Sequence, residues 1–268
     1  MPHELDQKMK PIFSLTALAF TTAALLPTMG YCADAAHAAK HAAHWTYGGA
    51  TGPAKWASVD EKFGTCAIGH TQSPIDIRTA DVQAAALPAI SFDYKPTPLK
   101  IIDNGHTVQV NIAPGSSITV GDTRYDLLQF HFHKPSEERI NGKSYPLVAH
   151  LVHKSEAGQL AVVAVLLDKG AKQPLIQAVF DNLPKAKEQE TLVPGLGIDL
   201  NGLLPENRAY YSFAGSLTTP PCSEGVSWFV LKTPVQISAE QIARFGHVYA
   251  MNARPVQPLN GRVVQASQ

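Results

Sequence analysis

Charge is scarce in this sequence, and it is balanced. Charged residues make up 16% of the 268, with 22 basic against 22 acidic. Without a net charge there is no electrostatic footprint for nucleic acid or for an anionic membrane surface. Long apolar runs are also lacking. "PIFSLTALAFTTAALLP" near the start is the longest, it carries Pro11 and Pro27, and it is short of the roughly 20 apolar residues a membrane span needs. No internal repeat and no flexible linker is visible, which excludes a repeat array and favours one domain. Cysteine is rare, three in all, whereas a structural zinc site more often uses cysteine and closes its coordination shell.

What the amino terminus does have is an order: Lys8 and Lys10, then the apolar run, then small residues in "GYCADAAHAA". That order predicts a secretory signal peptide over residues 1–35 and hence a periplasmic or secreted protein, with no membrane attachment after its removal. An alanine-rich stretch over 36–43 with His37, His41 and the adjacent His44 reads as a mobile leader rather than a metal site, and the domain is predicted over 44–265. Cys32 leaves with the signal peptide. In an oxidising compartment the remaining Cys66 and Cys222 most simply pair, the alternative being two buried free thiols. Closing so long a ring is worth about 5 kcal/mol in the chain-entropy model.

The rest reads mainly as strands. "LKIID", "HTVQVNI", "SSITV", "RYDLLQFHFH", "PLVAHLVH", "QLAVVAVLLD", "YYSFAGS" and "VSWFVLK" are short, apolar or alternating, and rich in Val, Ile, Tyr and Phe. Gly, Pro, Asn and Asp separate them. Two segments read as helices, "QPLIQAVFDNL" and "SAEQIARFGHVYAMN", the second with Ser238 and Gln241 at capping-box spacing. The predicted fold is mainly β (α+β): one domain around a central, twisted, mostly antiparallel sheet with small peripheral helices.

The chemistry concentrates in "HFHKPSEERINGKSYPLVAHLVH", residues 131–153. Side chains alternate along a strand, so His131 and His133 share a face. Asn141-Gly142 predicts a two-residue hairpin. In a regular hairpin about it, His133 faces His150 and His131 faces Val152, with paired Cβ atoms about 5 Å apart; Pro135 makes that register approximate. Three imidazoles then converge on one face. Buried in a sheet without a common partner, each would leave a polar nitrogen unsatisfied, so the pattern predicts a metal site. Three histidines with a fourth position open suit catalytic Zn2+. His153 has the opposite parity and reads as a structural, hydrogen-bonded residue.

Taken together, "GHTQSPIDI", "NGHTVQV", "QFHFHKPSEE", "AHLVHK", "LAVVAVLL", "GSLTTPPCSEGVSWFVL" and "NARPVQPLNGR" resemble the α-class carbonic anhydrases of the secreted bacterial type, in order from about Trp45 to Arg262. The resemblance implies a sheet of about ten strands and the reversible hydration of carbon dioxide to bicarbonate and a proton by zinc-bound hydroxide. It implies His131, His133 and His150 as zinc ligands. Thr218 would orient the hydroxide and Glu137 would accept the threonine's proton. His106 would be the proton shuttle, with an ordinary imidazole pKa near 6.5 suited to the task. Tyr47, Asn104 and Gln109 would line the cavity or hold its water. Val152, Val162, Leu217, Val226 and Trp228 would form the carbon dioxide pocket, with Thr219 in the same loop. Gln129 would support His131. The same resemblance places cysteines at Cys66 and Cys222, cis peptides at Ser73-Pro74 and Pro220-Pro221, and sulfonamides as inhibitors.

Two positions depart from the family. Val148 stands where a glutamate normally accepts a hydrogen bond from the third ligand, and Glu138 stands where histidine is usual. One reading moves the carboxylate to Glu138, bonding the free nitrogen of His150 directly or through water; in the other, Glu138 faces solvent and His150 uses a backbone carbonyl. The alternatives in function are a non-catalytic zinc or binding module on the same fold and a weak zinc esterase. Oligomeric state is not written in the sequence, and a homodimer stays open.

Overall fold

The computed structural model describes residues 44–268; the expected signal peptide and leader lie outside them. Among the described residues the strands are β1 (Asp76–Ile77), β2 (Gln83–Ala84), β3 (Ile90–Asp93), β4 (Thr97–Asp103), β5 (Val108–Asn111), β6 (Ser117–Val120), β7 (Thr123–His133), β8 (Arg139–Ile140), β9 (Lys143–Ser144), β10 (Leu147–Ser155), β11 (Leu160–Lys169), β12 (Thr191–Ile198), β13 (Tyr210–Ser216), β14 (Glu224–Leu231), β15 (Val235–Ile237) and β16 (Gln265–Ala266). The main sheet runs β12-β4-β5-β7-β10-β11-β14-β13-β16-β2, with β3, β6 and β15 attached off this path. The predicted mainly-β, largely antiparallel sheet is therefore observed. It is larger than expected, with 13 strands, and parallel where β11 meets β14 and β15 and where β16 meets β2.

Both predicted helices form, slightly shorter than their sequence windows. After two single-turn helices, α1 (Trp56–Val59) and α2 (Thr65–Ile68), they are α3 (Pro174–Asp181) and α4 (Ala239–Val248). In α4 the Ser238 hydroxyl accepts from the Gln241 N–H and the Gln241 side chain accepts from the Ser238 N–H, the reciprocal bonding its spacing predicts.

The sheet divides the apolar interior in two. Phe130, Phe132, Leu147, Ala149 and Leu151 pack in a large cluster with Ile176 and Phe180 of α3 and Phe245 of α4. Val148, Val152, Val162, Ala164, Val226 and Trp228 form a smaller cluster with Ile75 and Ile77. The period-two alternation of β10 makes the division, because odd and even positions fall on opposite faces. On the second face Gly215 permits a close approach: a Cβ there would lie 2.2 Å from Ser73 Oγ and 2.7 Å from Trp228 Cδ1.

The expected hairpin register is corrected. Locally, Ile140 faces Lys143 and Arg139 faces Ser144, as a turn at Asn141-Gly142 requires. Those residues, however, belong to a separate small sheet in which β8 pairs with β1. Between β7 and β10 the pairs are His131 with His150 and Val148 with His133, not His133 with His150. The connecting segments are of unequal length, residues 134–138 on one side and 145–146 on the other, so the long strands are offset by two residues from a continuous hairpin. An even offset keeps every side chain on its face, and the three histidines still converge. Cis bonds occur at Ser73-Pro74 and Pro220-Pro221, and also at Lys134-Pro135.

Candidate metal centre

His131 and His133 sit on one face of β7, and His150 sits beside them on β10. One ring nitrogen from each lies within 4.8 Å of the others. The ring centroids are 4.8–5.5 Å apart. Each ring uses its other nitrogen on a protein acceptor. His131 Nδ1 donates to Gln129 Oε1 at 2.8 Å, His133 Nδ1 to the Asn252 carbonyl at 2.7 Å, and His150 Nε2 to Glu138 Oε2 at 3.1 Å. Carbonyl and carboxylate oxygens only accept, so these nitrogens carry the protons. That leaves Nε2, Nε2 and Nδ1 as the inward, unprotonated set.

Burial supports the neutral state at His131 and His133. It lowers His131 to about 3, helped by His150, and holds His133 well below the usual histidine range, with His150 and His131 adding to the effect. His150 is subject to the same burial, but Glu138 and Glu137 outweigh it and raise the ring's pKa. The first two rings are thus neutral, the form that binds a metal. His133 Nε2 is buried without a hydrogen-bond partner, a cost that a bound cation would remove. Two buried carboxylates flank the rings: Glu137 Oε2 lies 3.8 Å from His150 Nδ1 and Glu138 Oε2 lies 3.1 Å from Nε2. Three converging nitrogen donors, with the Glu138 side chain bonded to the outer nitrogen of His150, fit a divalent zinc ion.

Around this centre the chain places most of the residues expected from sequence. Glu137 is fully buried, and burial above all raises its pKa to about 8. Its Oε1 accepts from the Arg254 N–H at 2.7 Å. The Thr218 hydroxyl favours the charged carboxylate, although Oε2 has no well-formed hydrogen bond. Val152, Val162, Val226 and Trp228 are buried in one cluster with Leu217 packed against it, and Trp228 Nε1 donates to the Ser216 carbonyl at 3.0 Å. Gln109 pairs with His131 across β5 and β7 and accepts from Asn104 Nδ2 at 3.3 Å. The Tyr47 hydroxyl is buried and unpartnered. Thr219 accepts from the Cys222 N–H at 2.8 Å, and Cys222 is bonded to Cys66. His106 is half-buried, and burial, then His44 and Lys187, lower its pKa. His153 points away from the centre and meets the Tyr94 hydroxyl at 2.9 Å, the structural place its parity predicts.

Three contributors escaped the sequence reading. Asn252 supplies the His133 acceptor and Arg254 binds Glu137. Trp45 stacks on His106 with centroids 3.6 Å apart and planes 7° from parallel. All three lie in or beside recognisable words, "NARPVQPLNGR" and "HWTYGG". Two of these contacts run through backbone atoms, which no side-chain pattern advertises.

A mainly-β domain carrying a three-histidine centre on adjacent strands defines a class of metalloprotein. The model of the eukaryotic-type carbonic anhydrases matches residues 51–268. The chain is 42% identical to a carbonic anhydrase of Neisseria gonorrhoeae over 256 residues, 95% of this chain and 99% of that one. It is 43% identical to a carbonic anhydrase of Nostoc sp., covering 82% and 85% of the two chains. In three dimensions it resembles the α-carbonic anhydrase of Thermovibrio ammonificans, solved in complex with the inhibitor sulfanilamide, with a TM-score of 0.81, 44% identity, and 83% and 99% coverage. The chain belongs to the α-class carbonic anhydrase family, and it is an enzyme of that family.

Proposed function

We propose that the protein hydrates carbon dioxide reversibly to bicarbonate and a proton, with zinc held by His131, His133 and His150. The carrying observation is the convergence of three inward nitrogens, each ring having its outer nitrogen engaged by the protein. Zinc, when bound, supplies a Lewis acid that brings the pKa of a coordinated water to about 7.

The chain's own residues do the rest. In its ionised form, which His150, the Arg254 N–H and the Thr218 hydroxyl favour against burial, Glu137 takes the Thr218 hydroxyl proton as a hydrogen bond. The Thr218 oxygen is then left only to accept from the attacking oxygen, and so to aim it. Val152, Val162, Leu217, Val226 and Trp228 offer carbon dioxide an apolar wall, suited to a small molecule without a dipole. Gln129 orients His131. His106, with Asn104, Gln109, Tyr47 and Thr219 around the polar side of the cavity, passes the released proton outward. Sulfonamides are expected to inhibit, as the solved relative's complex with sulfanilamide suggests. A periplasmic or secreted location is proposed on the Cys66–Cys222 disulfide; among the described residues no helix is long and apolar enough to cross a membrane.

Stopped-flow carbon dioxide hydration on the protein, with zinc stoichiometry measured on the same sample, tests this. One zinc per chain with hydration strongly exceeding ester turnover is expected. Zinc without hydration points to a binding module, and ester turnover without hydration to an esterase. A chain that takes up no zinc overturns the proposal outright.

A further inference from the structure

Val148 and Glu138 occupy an unusual arrangement around His150. Val148 lies two residues before His150 on the same face of β10, fully buried, and sits directly across from His133. Its neighbours are apolar: Ile75, Ile77, Ala164, Leu166 and Val230 belong to its cluster. Nothing on the strand itself can therefore accept the His150 Nε2 proton. Glu138 reaches it from outside the strand pair. It follows the Lys134–Pro135 step where the chain leaves β7, and its backbone is fixed there. Ser136 Oγ donates to the Glu138 carbonyl at 2.8 Å and accepts from the Tyr145 N–H at 2.8 Å, while the Ser136 N–H donates to the Tyr145 carbonyl at 2.9 Å. Glu138 is fully buried, one carboxylate oxygen 3.1 Å from His150 Nε2 and the other without any partner. A buried carboxylate left half-satisfied is costly, so its retention calls for a role.

Building on the proposed zinc site, we propose that Glu138 is the positioning residue for His150. By accepting the Nε2 proton it fixes the ring's tautomer and turns Nδ1 toward the metal, a carboxylate supplied from the loop because position 148 is apolar. Such partners typically change metal affinity by about 10–100-fold.

The test measures zinc affinity by chelator competition and the His150 Nε2–H resonance by NMR in the zinc-loaded protein, with carbon dioxide hydration alongside. Glu138→Ala is expected to weaken zinc binding about 10–100-fold and to shift or lose that resonance. Glu138→Gln, which still accepts through its amide oxygen, should lose less. Position 148 supplies the rescue. In the Glu138→Ala background, Val148→Glu places a carboxylate on the same face two residues from His150 and should regain zinc affinity and the resonance. In the wild-type background the same substitution buries a third carboxylate beside Glu137 and Glu138 and should weaken binding. Zinc affinity and an Nε2–H resonance unchanged in Glu138→Ala overturn the inference while leaving the proposed function intact; so does a Val148→Glu effect of the same sign in both backgrounds. A wild-type protein that binds no zinc sinks the proposed function and this inference together.

Discussion

The Asn252 carbonyl accepts the His133 Nδ1 proton at 2.7 Å across 119 residues of sequence. The side chain of the same asparagine is equally engaged. Its Oδ1 accepts from the Lys134 N–H at 2.7 Å, and its Nδ2 donates to the carbonyls of Phe132, at 2.9 Å, and His106, at 3.1 Å. One carboxy-terminal residue thus ties the end of β7 to the turn that bears His106.

Asn252→Ala should accordingly damage both stability and the metal centre. It strands buried backbone groups, each worth about 1–3 kcal/mol, so a loss of about 3 kcal/mol is expected in denaturant unfolding. Zinc affinity should fall too, because the carbonyl at 252 loses the anchor that aims it. Unfolding unchanged within error would show that the asparagine is dispensable.

The disulfide between Cys66 and Cys222 closes a ring with a sequence separation of 156. Replacing both with serine should cost about 3–5 kcal/mol, the range expected for a long ring. Turnover should also drop, since Cys222 donates its N–H to the Thr219 carbonyl in the loop that carries Thr218. Comparing thermal unfolding of the native and double-serine proteins checks the first point; hydration kinetics check the second.

His106→Ala should lower turnover by about tenfold or more, in line with the loss of a general acid–base group, with little change in zinc content. Added imidazole buffer should restore much of the rate. Because burial, with His44 and Lys187, depresses the His106 pKa, the proton-transfer limb of the wild-type pH profile should have its midpoint below 6.5. A midpoint above 6.5 contradicts that assignment.

Acid stability offers a separate check. Burial lowers His153 to about 3, whereas the unfolded chain holds it near 6.5. Between those values the unfolded state binds one more proton than the folded state. Stability contributed here is therefore present above pH 6.5 and is lost as the pH falls toward 3, by up to about 1.4 kcal/mol per pH unit. Replacing His153 and its partner Tyr94 with phenylalanine removes both hydrogen-bonding groups at once, and the zinc-loaded double variant should show a correspondingly flatter dependence of unfolding free energy on pH.

Much of the site was legible beforehand because its grammar is local. The histidines at 131 and 133 share a face by strand periodicity alone, and the same parity turns His153 to the opposite face. The Ser238–Gln241 cap was readable from spacing. The register of β7 against β10 was not, because it depends on how residues 134–138 and 145–146 fill unequal connections rather than on the turn between them. The family resemblance points to Thr218, Glu137 and His106, whereas Asn252 and Arg254 meet His133 and Glu137 through backbone atoms, and a backbone contact leaves no side-chain pattern in the sequence.

By itself, the sequence determined that a mainly-β chain would present three imidazoles on one side of paired strands, since a period of two needs nothing beyond neighbouring residues. Only the tertiary structure decided that His150 lies beside His131, that Asn252 closes over His133, and that Glu138 rather than a strand residue meets His150 Nε2. Those outcomes depend on where distant segments return, and that is set by packing of the whole sheet.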